Sequence, residues 1–282
     1  MAVRVVTDST ADLPAEVARE LDITVVPLTV HFGEETFYDG VDITAGQFFD
    51  RLRSARVLPR TSQPSVGAFQ DTYQRLAAEA DGIVSVHISS RLSGTCNAAS
   101  LAAEAVPEVP VRVVDSQTAS LGLGIIAMEA ARAARAGADL DAVVRVAEST
   151  RARVPIVFTL DTLEYLARGG RIGRASAFMG TLLNIKPILT VDQGEIAPLE
   201  RVRTRTKALD RLCDLLFTRE HVRLGAVAHA QCPEDAEHLV AQFRARYPGV
   251  PVVTGQVGPV IGVYTGPGAV GLCVLEGERG EA

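Results

Sequence analysis

Short β-rich runs alternate with helical patterns through the first half of the chain, and this alternation narrows the fold more than any other feature. VRVVTD at residues 3–8 is followed by a helical stretch at 13–21 with Val17, Ala18 and Leu21 on one face, and then by ITVVPLTVHF at 23–32, which reads as the next strand. GIVSVHIS and VRVVD come later, each trailed by a helical pattern, at 97–105 and 122–136. Parallel neighbours need a long crossover, usually a helix, so the alternation predicts a mainly parallel sheet with helices on its faces. Residues 1–155 are therefore expected to form a three-layer α/β/α domain.

The pattern changes after residue 155. IVFTLDTLEYL leads into a Gly- and Arg-rich loop, ARGGRIGR, which is expected to precede an apolar helix and then the strand KPILTVDQGEI. Asp192-Gln193-Gly194 marks a hairpin turn, and residues 196–202 return along it. A helix bearing Leu209, Leu212, Leu215 and Leu216 follows, then RLGAVAHA, a helix at 234–246, VPVVTGQV and GAVGLCVLE. Strands grouped with hairpins, with helices on one side, predict an α+β second domain over 156–282 with a mixed or antiparallel sheet.

The net charge of −6 and isoelectric point near 5.5 give no electrostatic reason to approach nucleic acid or an anionic membrane surface, both of which attract basic patches. Cys96, Cys213, Cys232 and Cys273 are widely spaced with no C-x-x-C pair, which indicates neither a zinc site nor a disulfide framework and suits a reducing cytoplasm. Met1 leads directly into the Val3, Val5, Val6 pattern, without the basic segment and apolar stretch of a secretion signal. Apolar runs such as 121–131 are interrupted by Gly or Glu well short of the roughly 20 residues of a membrane span. These features predict a cytoplasmic chain with no integral membrane segment, no nucleic-acid partner and no metal.

Four segments are small and polar where strands give way to helices: Asp8-Ser9-Thr10, Thr61-Ser62-Gln63-Pro64-Ser65, the run 89–95 (SSRLSGT), and Asp115-Ser116-Gln117-Thr118. In an open parallel sheet such loops gather along one edge, where ligands generally sit, and hydroxyls beside free N–H groups at a helix start receive an anion. Asp8, Ser9, Thr10, Asp115 and Ser116 fit ordinary helix capping. The run 89–95 offers four hydroxyls and a glycine, more than one cap requires. Phosphate is a poor candidate for the anion, since no G-x-G-x-x-G follows the first strand and no G-x-x-x-x-G-K-[ST] occurs. A serine-dependent hydrolase or transferase using Ser93 is the alternative from another class. Its surroundings, R-L-S-G-T, do not match G-x-S-x-G, and His87 stands on an alternating strand where it would face solvent or a neighbouring strand.

Seven blocks, in order from end to end, resemble the DegV family: V-V-T-D-S-T-A-D-L-P at the start, T-S-Q-P-S at 61–65, S-S-R-L-S-G-T at 89–95, V-D-S at 114–116, G-G-R-I-G at 169–173, K-P-I-L at 186–189 and T-G-P-G-A-V-G at 265–271. The resemblance implies a two-domain fold that encloses a long-chain fatty acid and needs no cofactor. It implies a lipid-binding protein, not an enzyme by itself, whose cargo a separate ATP-dependent fatty acid kinase subunit converts to an acyl phosphate. Thr61 and Ser93 would then hydrogen-bond the carboxylate, with the Gly94 N–H as a further donor. A carboxylate removed from water needs several such bonds or it becomes protonated. Candidates for the wall of an acyl tunnel are Phe158, Phe178, Met179, Leu182, Leu183, Ile188 and Ile261, each of which can equally be plain core.

Arginines form a second group. Arg168, Arg171 and Arg174 recur at three-residue spacing, and Arg201, Arg203 and Arg205 alternate at the end of an expected strand, facing one way by period two. Solvated surface charge is the ordinary role of such residues; beside a carboxylate they would bind phosphate oxygens or an acidic partner face. By resemblance, Arg171 and Arg203 are the positions for kinase docking or phosphoryl transfer. The kinase-linked members carry a histidine directly before T-G-P-G, where this chain has Tyr264, which can hydrogen-bond but carries no positive charge.

Overall fold

The computed structural model describes residues 2–180 and 185–277. Its first part runs β1 (Val3–Asp8), α1 (Ala15–Glu20), β2 (Ile23–Val26), β3 (Thr29–Phe32), β4 (Glu35–Tyr38), α2 (Ala45–Ser54), β5 (Arg60–Ser62), α3 (Val66–Ala77), β6 (Gly82–His87), α4 (Thr95–Glu104), β7 (Val111–Asp115), α5 (Leu121–Arg135) and α6 (Leu140–Arg151). The second runs β8 (Ile156–Thr159), α7 (Glu164–Arg168), β9 (Lys186–Asp192), β10 (Glu195–Val202), α8 (Arg205–Leu216), β11 (Val222–His229), α9 (Pro233–Arg246), β12 (Val252–Gln256), α10 (Pro259–Thr265) and β13 (Val270–Glu276).

Strands β2-β1-β6-β7 form a parallel sheet in that order. Because the chain steps from β1 to β2 on one side and returns to β6 on the other, the loops after β1 and β6 splay apart, the place where open α/β sheets take ligands. On one face, Phe69 and Tyr73 of α3 and Ala98, Ala99 and Ala102 of α4 pack on Val6 and Ile83. The other face receives α5 and α6. The first three turns of α5, from Leu121 to Ala131, are buried almost all round, since this helix lies between the parallel sheet and the second sheet.

That second sheet has the order β10-β9-β8-β13-β11-β12 and is antiparallel except between β11 and β12. The α/β and α+β architecture expected for the two domains is what the chain adopts. Alternation divides each strand between two cores. Leu272 and Val274 of β13, with Val227 and Ile188, face Leu212, Leu239 and Phe243 of α8 and α9, whereas Cys273 and Leu275 face α5. The hairpin turn falls at Gln193 and Gly194, both with positive φ (50° and 83°), the twist-matched geometry of a two-residue loop.

Three local expectations give way. ITVVPLTVHF is two strands, because Pro27 has no N–H to continue a ladder: β2 pairs with β1, and β3 leaves for a small antiparallel sheet, β4-β3-β5. The segment after ARGGRIGR forms a 3-10 turn over Gly173–Phe178 in place of an apolar α-helix, and residues 181–184 lie outside the described ones. Arg201, Arg203 and Arg205 do not share a strand face. Strand β10 ends at Val202, and the Thr204 hydroxyl caps α8 by accepting the Lys207 N–H at 3.3 Å, so Arg203 sits in the bend and Arg205 opens the helix.

Candidate functional site

A cavity of about 370 Å³, within the range of small-molecule sites, lies between the two sheets. One end is polar. Strand β5 carries Thr61 into it, the loop after β6 carries Ser93 and Gly94, and α10 carries Tyr264. The loop owes its shape to the strands around it. Asp8 of β1 accepts the Ile88 N–H (3.1 Å), Asp115 of β7 accepts the Ser90 N–H and hydroxyl (3.3 and 2.6 Å), and the Ser89 hydroxyl donates to the Gly194 carbonyl (2.8 Å) of the β9–β10 hairpin. A Cβ on Gly194 would come within 2.4 Å of that hydroxyl, so the hairpin can dock on the loop only through a glycine.

Thr61 Oγ1 and the Tyr264 hydroxyl are 2.5 Å apart, and the Ser93 and Thr95 hydroxyls 2.9 Å apart. Gly94 precedes the first turn of α4 with no side-chain cap, which leaves N–H groups of that turn for a ligand. A Cβ there would strike the Gln63 amide, 2.1 Å from Oε1, so the glycine lets Gln63 close this end. Arg171 borders it: Nε donates to the Leu92 carbonyl (3.1 Å), Nη1 to the Gly169 carbonyl (2.9 Å), and the guanidinium lies 5.1 Å from the Tyr264 ring centre.

The rest of the cavity is apolar. On the second sheet Phe158, Gly271 and Ala228 stand side by side in one row, and Ile156, Cys273 and Ala226 in the next. Small residues on β13 and β11 thus form a trough bordered by the bulkier side chains of β8. Leu121, Val260 and Ile261 also line the cavity. Burial pushes the Cys273 thiol up to about 12, so it lines the trough as a neutral group.

Among the residues singled out from sequence, Thr61, Ser93, Gly94, Arg171 and Tyr264 meet at the polar end, and Phe158 and Ile261 stand in the wall. Phe178, Met179 and Ile188 do not line the cavity. Ile188 points to the opposite core with α8, Met179 is 47% exposed, and Phe178 packs under the Arg201 guanidinium, 4.2 Å from its ring centre. Leu182 and Leu183 lie outside the described residues. Arg203 is exposed and is not in the lining; Arg168 and Arg174 pair with Glu164 and Asp192. Gln63, Gly271, Ala226 and Ala228, none of them proposed from sequence as a site residue, also line the cavity. A signal exists for the last three: small residues at period two in RLGAVAHA and GAVGLCV mark a strand face that leaves space.

His87 is fully buried and meets β1, the second of its two expected settings. It forms the chain Tyr73 OH to Ser85 Oγ (2.8 Å), Ser85 Oγ to His87 Nε2 (2.7 Å) and His87 Nδ1 to Asp8 Oδ2 (2.9 Å), which places the ring proton on Nδ1. Although serine, histidine and aspartate here have the spacing of a hydrolytic triad, all three are fully buried and neither Ser85 nor His87 reaches the cavity, so the network serves packing. Asp8 also caps the turn after β1 by accepting the Thr10 N–H (3.0 Å).

A two-domain α/β protein with a cavity between its sheets, polar at one end, is the class that fold and site define. The DegV family model matches residues 2–277. The chain belongs to the DegV family. A DegV domain-containing protein of Streptomyces coelicolor is 44% identical over 96% of this chain and 98% of its own length. Among solved structures, a DegV family protein from Thermus thermophilus described by its fatty acid binding superposes with a TM-score of 0.91 at 36% identity, over 98% of this chain and all of that one. DegV of Bacillus subtilis, described as a fatty acid binding protein, gives 0.91 at 35% identity over 98% and 100% of the two chains.

Proposed function

We propose that this protein holds one long-chain fatty acid between its two domains, divided near residue 155, with the carboxylate on the Thr61 and Ser93 hydroxyls and the Gly94 N–H and the alkyl chain in the trough of small residues. The observation that carries this reading is a cavity whose one end gathers hydroxyls and helix-start N–H groups while the rest is apolar. Solved relatives at 36% and 35% identity are described as binding fatty acids. An acid of about sixteen carbons would gain on the order of 10 kcal/mol from chain burial before ordering costs, at about 0.8 kcal/mol per methylene. Arg171, whose donors are turned to carbonyls of the site, adds positive potential beside the carboxylate. No cofactor is required for holding the acid. Among the described residues no helix is long and apolar enough to cross a membrane.

Native mass spectrometry of the protein purified from cells should show the added mass of a long-chain acid; a clean apo mass that added palmitate or oleate fails to shift would remove the proposal. Ser93→Ala and Thr61→Ala should each weaken palmitate binding by about 1.5–3 kcal/mol, roughly 10- to 150-fold, as for a lost hydrogen bond to a charged group. Calorimetric titration reads this directly. Unchanged affinity in both would place the carboxylate elsewhere.

The protein by itself performs no chemistry on the acid; it presents the carboxylate to an ATP-dependent kinase subunit that forms the acyl phosphate. Arg171 at the site and Arg203 on the exposed bend are the groups for phosphate and partner contact. Tyr264 supplies a hydroxyl where a histidine could supply positive charge to the incoming phosphoryl group. Tyr264→His should therefore raise the rate of acyl phosphate formation with a bacterial fatty acid kinase subunit and ATP, scored by hydroxylamine trapping, by about tenfold. An unaltered or lower rate would show that Tyr264 is not what limits transfer.

A further inference from the structure

Tyr264 reaches Thr61 because α10 lies along the cavity, and at its first turn this helix is held by two buried carboxyl groups. Asp12 Oδ1 accepts the Gly258 N–H at 2.8 Å, and its Oδ2 is hydrogen-bonded to the Ser120 hydroxyl at 2.5 Å. Asp39 Oδ1 stands against the same turn, 3.2 Å from where a Cβ on Gly258 would sit. Ser120 itself lines the ligand cavity with φ 54° and ψ −145°, a conformation that non-glycine residues adopt only when their surroundings hold them there. The two aspartates thus connect the loop after β1 and the turn after β4 to α10 and to the cavity wall.

Neither carboxyl has a cationic partner among the described residues. Asp39 Oδ2 is buried with no hydrogen-bond partner at all, and Asp39 is only 5% exposed. Both carboxyls line a second cavity of about 720 Å³, and the charges facing them there are few. Asp8 of β1 adds negative charge and is itself paired with His87. Arg19 of α1 lines the same cavity with an exposed side chain, and Asp42, in the turn that holds Asp39, is directed to the Tyr38 N–H. Thr44 and Ala45 at the start of α2, Thr254, Gly255 and Gln256 of β12, and Gly258 and Pro259 bring no charge. Two adjacent carboxylates in such surroundings repel each other and lack hydration, so the neutral acids fit the closed arrangement better. Desolvation, opposed by the hydrogen bonds and reinforced by the neighbouring aspartates, accordingly pushes Asp12 up to about 8 and Asp39 up to about 7.

We propose that Asp12 and Asp39 are positioning residues for the ligand site: as neutral acids they clasp the first turn of α10 and set Tyr264 and Ile261 against the ligand, and their ionisation loosens the clasp and favours release. Hydrated in an open form, both groups return toward the ordinary carboxyl range, so closure takes up protons. Closure is therefore most favoured in acid and loses favour as pH rises from about 4 to about 8, beyond which these groups add no further change. The ligand's own carboxylate stays ionised across the upper part of that window, leaving the two aspartates to set the slope.

The inference rests on the fatty-acid reading for its ligand, and its test has one arm that uses the ligand and one that does not. Palmitate affinity of the wild type should fall about tenfold or more between about pH 6 and about pH 8.5, whereas Asp12→Asn/Asp39→Asn, which keeps a neutral acceptor for Gly258, should bind at both with the same affinity within about twofold. In parallel, hydrogen exchange of the 258–265 amides, corrected for the intrinsic pH effect, should lose protection at the higher pH in the wild type alone. This second measurement on the wild type needs neither ligand nor variant. A flat wild-type profile, or equal slopes in both proteins, overturns the clasp. Absence of palmitate binding at every pH sinks the ligand reading while the exchange data still decide the clasp: pH-dependent protection upholds it, and pH-independent protection rejects it.

Discussion

Ala228→Phe should close the cavity to long-chain acids while leaving the fold intact. Ala228 stands on β11 beside Gly271, in the row that Phe158 completes, and its Cβ points into space that the surrounding side chains leave open. A benzyl ring there has room at no cost in overpacking, unlike an enlargement in a filled core. It would displace on the order of five or six methylenes of a bound chain, and at about 0.8 kcal/mol each the loss is roughly 4–5 kcal/mol, about three orders of magnitude in affinity. Because the polar end is untouched, octanoate should lose much less than palmitate. Titration of both acids, with thermal unfolding as the control for folding, checks this. Equal losses for the two acids, or undiminished palmitate binding, would place the chain somewhere other than on this floor.

Asp8→Ala should be the most damaging single change to stability. It leaves His87, the Thr10 N–H and the Ile88 N–H without their acceptor, all at positions with no solvent to replace it. Each buried donor left without an acceptor costs about 1–3 kcal/mol, so the three together cost on the order of 3–5 kcal/mol or more. The consequence reaches the ligand, since Ile88 is one of the points that fix the loop carrying Ser93 and Gly94. Urea denaturation should show the lower midpoint, and palmitate affinity should fall with it under conditions where the variant is still folded. A loss below about 1 kcal/mol would mean that water enters and satisfies these groups.

Much of the architecture is legible in the chain because local and global preferences agree. Strand-helix alternation in the first half has one economical solution, a parallel sheet, and the Gln193-Gly194 turn admits a hairpin and little else. The place of Ser93 in the cavity lining is legible for a similar reason: a run of four hydroxyls and a glycine after a strand exceeds what capping needs. The failures follow from what a linear pattern does not contain. Hydrophobicity marks Ile188 as buried but does not say which of two cores it faces, and β9 turns it toward α8, away from the cavity. The residues that make the trough are those with the least side chain, Gly271, Ala226 and Ala228, and small size carries little hydropathy signal. Pro27 divides one β-rich run between two sheets, a decision made by a missing N–H and not by hydrophobicity. Asp12 and Asp39 are invisible for the opposite reason, since aspartate ordinarily reads as surface and only tertiary contact with α10 reveals two carboxyls buried without cations.

Two properties of the cavity between the sheets matter most: what it holds, and which end of its occupant points to Ser93. A crystal structure of the protein as purified, without added lipid, tests both at once. Continuous unbranched density is expected over Gly271 and Ala228, ending in a forked carboxylate within hydrogen-bonding distance of the Thr61 and Ser93 hydroxyls and the Gly94 N–H. Density that runs the other way, with its polar end remote from Ser93, or a cavity holding only ordered water in protein that also fails to take up added palmitate, would contradict it.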